Sequence, residues 1–147
     1  MLNQKLDHKI DKEIRAWSVN VPLRVLRDLK STIKSRWINT GPKEFKFRQS
    51  LKRRFNAKYA VATNSGTSSL RCALASLGVS RNDEIISTPY TWLATNTSIL
   101  EQGAKPVFAD INYDDLNISI KDIEKKITKK TKAIICVHYA GNPVDLD

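Results

Sequence analysis

Tyr59-Ala60-Val61-Ala62-Thr63-Asn64-Ser65-Gly66-Thr67-Ser68-Ser69-Leu70-Arg71-Cys72-Ala73-Leu74-Ala75-Ser76-Leu77 changes character twice along its length. The first five residues alternate small, β-branched and aromatic types, which predicts a short buried strand. Asn64, Ser65, Gly66 and Thr67 follow. Asn and Ser can satisfy the first free amides of a helix, and Gly allows a tight turn and close approach to a ligand. Leu70, Ala73, Leu74 and Leu77 then recur at the spacing of one helical stripe, and Gly78 ends it. Strand, small-residue turn and helix together aim unpaired amides and the positive end of the helix dipole at one spot. An anion there gains about 0.3–1 kcal/mol from the dipole, plus charge-assisted hydrogen bonds. The two readings are a phosphate seat and an ordinary capped helix. A P-loop is excluded because no Gly-Lys-Ser/Thr is present, and the dinucleotide fingerprint because its glycines are missing.

Downstream the pattern recurs in kind. Glu84–Thr88 is a predicted strand broken by Pro89-Tyr90, Thr91–Glu101 a helix stopped by Gly103, and Pro106–Ala109 a strand ending at Asp110. Ser119 is placed to cap Ile120–Ile127, with Asp122 in a capping-box-like position, and Ala133–Val137 is a strand ending at His138. Four short apolar strands alternating with helices predict an α/β fold, a mainly parallel sheet with flanking helices. Ligands of such sheets sit at the carboxyl ends of the strands. The residues there are Asn64 to Ser68, Pro89 to Trp92, Asp110, and His138 to Gly141. Trp92 could stack on a planar ring; helical spacing alone favours a core position for it. Asp110, Asn112 and Asp114 imitate the start of a calcium loop. Asp115 and Lys121 stand where that loop needs Gly and Glu, so the stretch reads as a polar loop.

Upstream, Asp7–Trp17 has helical character. From Pro22, the residues Val25, Leu26, Leu29 and Ile33 form one helical stripe, Trp37–Pro42 a loop, and Phe47, Leu51 and Phe55 the stripe of a second helix. Residues 1–58 hold 16 Lys/Arg and 5 Asp/Glu, whereas the rest of the chain is close to neutral, so the net charge of +10 belongs to the N-terminal part. The expected organisation is therefore a basic helical segment, 1–58, followed by a partial α/β cofactor-binding domain, 59–147. The basic helices could contact nucleic acid or an acidic partner. No recognised nucleic-acid motif accompanies them, and the aromatics fall on the apolar faces, so nucleic acid is the less favoured reading.

At 147 residues the chain is one domain's worth, able to bury about 68–70% of its unfolded surface. Met1–Ile10 lacks the apolar core of a secretory signal, and no apolar run approaches a membrane helix. Cys72 and Cys136 read as buried small hydrophobes in a reducing, cytoplasmic compartment. His8 and His138 are too far apart to suggest zinc, and no metal site is expected.

With these residues in hand, the chain resembles the DegT/StrS family of pyridoxal-phosphate-dependent nucleotide-sugar aminotransferases, of fold type I. The resemblance rests on Trp37-Ile38-Asn39-Thr40-Gly41-Pro42, Tyr59 to Gly78, Asp83 through Thr95, Gly103 to Asp110, and Thr128 to Asp147, which occur in family order. It implies an incomplete fold-type-I large domain and the cofactor pyridoxal 5'-phosphate. By this likeness Gly66, Thr67 and Ser68 hold the cofactor phosphate and Trp92 stacks on its pyridine ring. It also implies transfer of an amino group, usually from glutamate, to a ketosugar on a nucleotide in polysaccharide biosynthesis, by a homodimer. In the family the Schiff-base lysine and the acidic partner of the pyridine nitrogen lie beyond the segment matching Pro143–Asp147. No catalytic residue is therefore assigned, and the 147-residue chain by itself is expected to be truncated and inactive. The basic helix around Phe45–Phe55 departs from the family, which is typically acidic there. Two other readings stand beside this one. One is a binding module without chemistry; the other is a remnant whose unpaired sheet edge makes it prone to aggregate.

Overall fold

The computed structural model describes residues 19–146. The expected Asp7–Trp17 helix lies outside them. The chain divides between Lys58 and Tyr59 into two compact units.

The first unit holds two helices, α1 (Arg24–Ser35) and α2 (Pro42–Arg54). Pro42 opens α2 at its first position, where the missing N–H costs nothing. Before it, Trp37 folds back on the chain, its indole N–H donating to the Thr40 carbonyl at 2.6 Å. A Cβ on Gly41 would lie 2.1 Å from the Trp37 ring, so only glycine fits beneath the indole. The Lys43 ammonium ties α2 to α1 through the Asp28 carbonyl at 2.5 Å. Neither helix buries a residue: Leu26 and Ile33 on the stripe of α1 are 62% and 61% exposed.

The second unit is a three-stranded parallel sheet with helices on its two faces. Its elements are α3 (Gly66–Ser76), β1 (Glu84–Ser87), α4 (Leu93–Glu101), β2 (Lys105–Phe108), α5 (Ile120–Lys126) and β3 (Thr131–Ile134), with the strands in the order β2-β1-β3. β1 is central and buried on both faces. Ile85 joins Leu74, Val79, Ile99 and Ala104 on the side of α3 and α4. Ile86 joins Ala109, Ile118, Ile123 and Val144 on the side of α5. Adjacent strand residues point to opposite faces, so one Ile-Ile pair anchors both layers. A bulge at Glu84/Ile85 shifts the β1–β3 register by one residue. Arg71 and Glu101 form a two-pronged ion pair that links α3 to α4.

Gly78 ends α3 as expected. At φ +67° it lets the Val79 amide reach back to the Leu74 carbonyl and its own amide to Ala75, and Val79 then packs on Leu74. This is the glycine-closed helix end that the sequence calls for.

Four expectations are corrected. Tyr59–Thr63 forms no strand: it pairs with neither sheet edge, and Tyr59 and Val61 are 76% and 79% exposed. A strand needs a ladder partner, and alternation cannot supply one. Cys72 is exposed rather than buried, because the α3 stripe is covered at Leu74 and left open at Ala73 and Leu77. Cys136 is partly buried, and burial pushes its thiol pKa up. Finally, Ser119 makes no side-chain cap and Asp122 closes no capping box. The Asp122 carboxylate instead accepts the Asp110 amide at 2.8 Å, across to the end of β2, while the Ser119 amide donates to the Asp110 carbonyl.

That bond, with Lys126 beside it, holds Asp122 below the ordinary aspartate value of 3.8. A depressed folded-state pKa contributes stability above the unfolded value and loses it as pH falls through the folded one. The thermal midpoint should therefore drop on acidification below 3.8. Asp122→Ala, which has no carboxylate to protonate, should melt lower at neutral pH and show a shallower acid slope. Equal slopes in melts from about pH 6 to about pH 2 would remove this account.

Candidate functional site

Two cavities open where the strand ends and helix starts meet. The first, of about 480 Å³, is lined by Gly66, Thr67, Ser69 and Leu70 from the start of α3 and by Trp92, Ala94 and Thr95 from the start of α4. The second, of about 430 Å³, lies beyond the carboxyl ends of the neighbouring strands β1 and β3. It is lined by Pro89–Trp92 and Thr95 on one side and Val137–Ala140 on the other. Trp92 and Thr95 border both.

At the α3 start the amides divide into claimed and unclaimed. Ser65, in extended backbone at φ −160°, caps the helix by accepting the Ser68 amide at 3.1 Å. Its carbonyl accepts the Ser69 amide. Among the described residues no acceptor meets the amides of Gly66 and Thr67. Both residues line the cavity, and a Cβ on Gly66 would meet nothing within 4 Å, so the space before those amides is open. Hydroxyls knit the turn: Thr63 to Ser69 at 2.6 Å, Thr63 to the Ser65 carbonyl at 2.9 Å, and Ser68 to the Asn64 amide oxygen at 2.7 Å. The start of α4 faces the same cavity, so two positive helix ends converge on it. The arrangement suits an anion of phosphate size at the amides, with a flat group beside it.

Trp92 is the flat surface. It is 82% exposed, which rules out a core position. Its backbone is extended (φ −64°, ψ 136°) and forms the N-cap of α4, whose helix begins at Leu93 rather than Thr91. In the second cavity the Tyr90 and Tyr139 rings lie 4.5 Å apart, tilted by 34°. The Tyr139 hydroxyl, first as a hydrogen-bond partner and then through its own charge, together with a little desolvation, holds the Tyr90 phenol above its ordinary pKa. The His138 Nδ1 accepts the Val144 amide at 2.9 Å, so the proton of the neutral ring sits on Nε2. Ala140 and Gly141 turn the chain there with φ of +49° and +83°.

The structure thus brings Gly66, Thr67 and Trp92 to one cavity. Ser68 does not line it; its hydroxyl faces Asn64 and Ser65. Asp110 lines neither cavity and is committed to α5. Ser69, Leu70, Ala94 and Thr95 were not expected at the site. Each lies within a turn of Gly66 or Trp92, so helical spacing from those two residues is the signal that finds them. Among the described residues no cluster of metal-ligating side chains occurs, and no helix is long and apolar enough to cross a membrane.

Comparison with known proteins places this geometry in context. An uncharacterized protein of Methanocaldococcus jannaschii is 44% identical over 122 residues, covering 83% of this chain and 32% of its own length. Among solved structures, a candidate sugar aminotransferase from Streptococcus pneumoniae in its pyridoxamine-phosphate (PMP) form superposes with a TM-score of 0.81 at 33% identity. That match covers 86% of this chain and 32% of the other. The E. coli GDP-4-keto-6-deoxy-D-mannose-3-dehydratase with bound hydrated pyridoxal phosphate superposes at 0.80 and 27% identity, over 86% and 34%. This chain spans about a third of the length of the relatives it matches. Residues 24–147 match the sequence model of the DegT/DnrJ/EryC1/StrS aminotransferase family, and the chain belongs to that family.

Proposed function

We propose that the chain carries the cofactor-binding part of a pyridoxal-phosphate-dependent aminotransferase. Its amino donor is an amino acid, glutamate by resemblance, and its acceptor is a ketosugar linked to a nucleotide. The supporting observation is that the unclaimed amides of Gly66 and Thr67 and the exposed indole of Trp92 border one cavity. In this reading residues 59–147 are the partial cofactor domain, residues 1–58 a separate basic helical segment, and the complete enzyme a homodimer.

Bound pyridoxal phosphate supplies an electron sink for bonds at the carbon next to the reacting nitrogen. The chain's own residues bind and orient it. Gly66 and Thr67 donate backbone N–H groups to the phosphate, reinforced by the α3 dipole. Ser68 joins them when its hydroxyl turns from Asn64. Trp92 lies along the ring face and keeps water from it. Family resemblance assigns the Schiff-base lysine to none of the 147 residues, so binding without steady turnover is the expected behaviour of this chain.

Fluorescence titration tests the reading with three probes: pyridoxal phosphate, pyridoxal and inorganic phosphate. Pyridoxal phosphate should quench Trp92 saturably, pyridoxal far less, and inorganic phosphate should compete. Trp92→Ala, which lacks the reporting indole and is therefore titrated by calorimetry beside the parent, should weaken pyridoxal phosphate about tenfold, the size of a lost stacking contact with its buried area. Its melting temperature should not change, because the indole is 82% exposed. Equal affinity of the Ala variant, or no saturable response, would count against the site. Steady amino transfer from glutamate by the chain alone would overturn the assignment of its lysine elsewhere.

A further inference from the structure

An indole that is 82% exposed has little packing to hold it, so the backbone beneath sets the region its ring can reach. That backbone is tied back to the strand end through one side chain, Asn96. Ser87, at the end of β1 and 0% exposed, donates its hydroxyl to the Asn96 amide oxygen at 2.5 Å. The Asn96 amide nitrogen donates to the Thr88 carbonyl at 3.1 Å. A carboxamide head both accepts and donates, so one side chain spans the two groups. The Thr88 hydroxyl then accepts the Tyr90 amide at 3.2 Å, the Thr91 and Thr95 hydroxyls meet at 3.2 Å, and the Trp92 carbonyl accepts the Thr95 amide at 3.0 Å. The whole turn from strand to helix is thereby stitched, with Asn96 one helical turn beyond Trp92.

From this network we infer that Asn96 is a positioning residue for Trp92: by clamping the end of β1 to α4, it fixes where the indole meets a ring. The inference rests on the reading of Trp92 as a stacking surface. A platform set in place before the ligand arrives matters because displacement of about 1 Å can cost about a hundredfold in a site that depends on orientation. A merely structural Asn96 would affect the melting temperature and leave the indole where it is.

The test uses the full chain with Trp17 and Trp37 replaced by Phe, so that one indole N–H signal, that of Trp92, remains in a nitrogen–proton correlation spectrum. Asn96→Asp is close to isosteric, keeps the acceptor for Ser87 and removes the donor to Thr88. It should shift or broaden the Trp92 signal and weaken pyridoxal phosphate about tenfold. Inorganic phosphate, followed at the Thr67 amide, should bind as before. Thr97→Ala, the next residue along α4, should leave the indole signal unmoved. Ser87→Ala removes the other half of the clamp and should move the signal in the same sense, which carries the test if the Asp variant does not fold. An unmoved Trp92 signal in a folded Asn96→Asp or Ser87→Ala variant overturns the inference. A moved signal in a chain whose parent binds no pyridoxal phosphate upholds the clamp and removes the cofactor reading instead.

Discussion

Ile86→Ala is expected to destabilise the unit from Tyr59 onward by about 2–5 kcal/mol, the range for a buried isoleucine truncated to alanine. Native domains have a total stability of only about 5–15 kcal/mol, so this is a large share. Ile86 is 0% exposed and is the strand contribution to the layer formed with Ala109, Ile118, Ile123 and Val144. Those neighbours come from the β2 exit, the loop before α5, α5 itself and the segment after His138. They cannot collapse freely into the space left, because three of them are held by their amides: Ala109 to the Ser87 carbonyl, Ile123 to the Ser119 carbonyl and Val144 to the His138 ring. Ile85→Ala should act with similar size through the opposite layer. Because the two side chains share no layer, the double variant should lose close to the sum of the two, except for whatever strain the shared strand transmits. Urea midpoints of the three variants measure this. A loss below about 1 kcal/mol for Ile86→Ala would mean that the face toward α5 is not the packed layer described.

The elements that were legible from sequence are those whose signal is local. Gly78 and Gly103 ended their helices because both take positive φ, which a residue with a side chain adopts reluctantly. The strands β1, β2 and β3 were found within a few residues, since short apolar runs between turn formers leave few alternatives. Tyr59–Thr63 has the same signal and forms no strand, because pairing is decided by what stands alongside. Asp122 shows a related failure. Its spacing from Ser119 fits a capping box, yet the fold gives the Ser119 amide to the Asp110 carbonyl and brings the Asp110 amide to the Asp122 carboxylate instead. Trp92 shows the converse: periodicity favours the core, but the helix begins one residue after it, so helical spacing does not govern its direction. At the site, Gly66 and Thr67 were visible as turn chemistry. Asn96 was not, because the sequence does not show that its amide faces two groups on the neighbouring strand.

Gly66→Asp should separate stability from binding in opposite directions. Gly66 is the first residue of α3 and its φ is not positive, so an L-residue is accommodated. A Cβ there meets no atom within 4 Å, so the carboxylate enters the open cavity without a clash. For the helix the change is favourable. Aspartate in a first turn interacts with the dipole for about 0.3–1 kcal/mol, and replacing glycine removes backbone freedom from the unfolded chain. The thermal midpoint should therefore stay level or rise. For an anion the change is adverse on three counts: the carboxylate occupies its space, competes for the amides of Gly66 and Thr67, and repels it. At about 4 Å and an effective dielectric near 20, like charges repel by about 4 kcal/mol before screening. Even a third of that lowers phosphate or pyridoxal phosphate affinity about tenfold. Gly66→Ala is the control, filling space without charge, and should lose much less. The decisive comparison is between two slopes: the affinity deficit of the Asp variant should shrink as salt is raised, while that of the Ala variant stays constant. If Gly66→Asp binds phosphate as the parent does, the amides at the start of α3 are an ordinary helix end, and the cavity before them holds no anion.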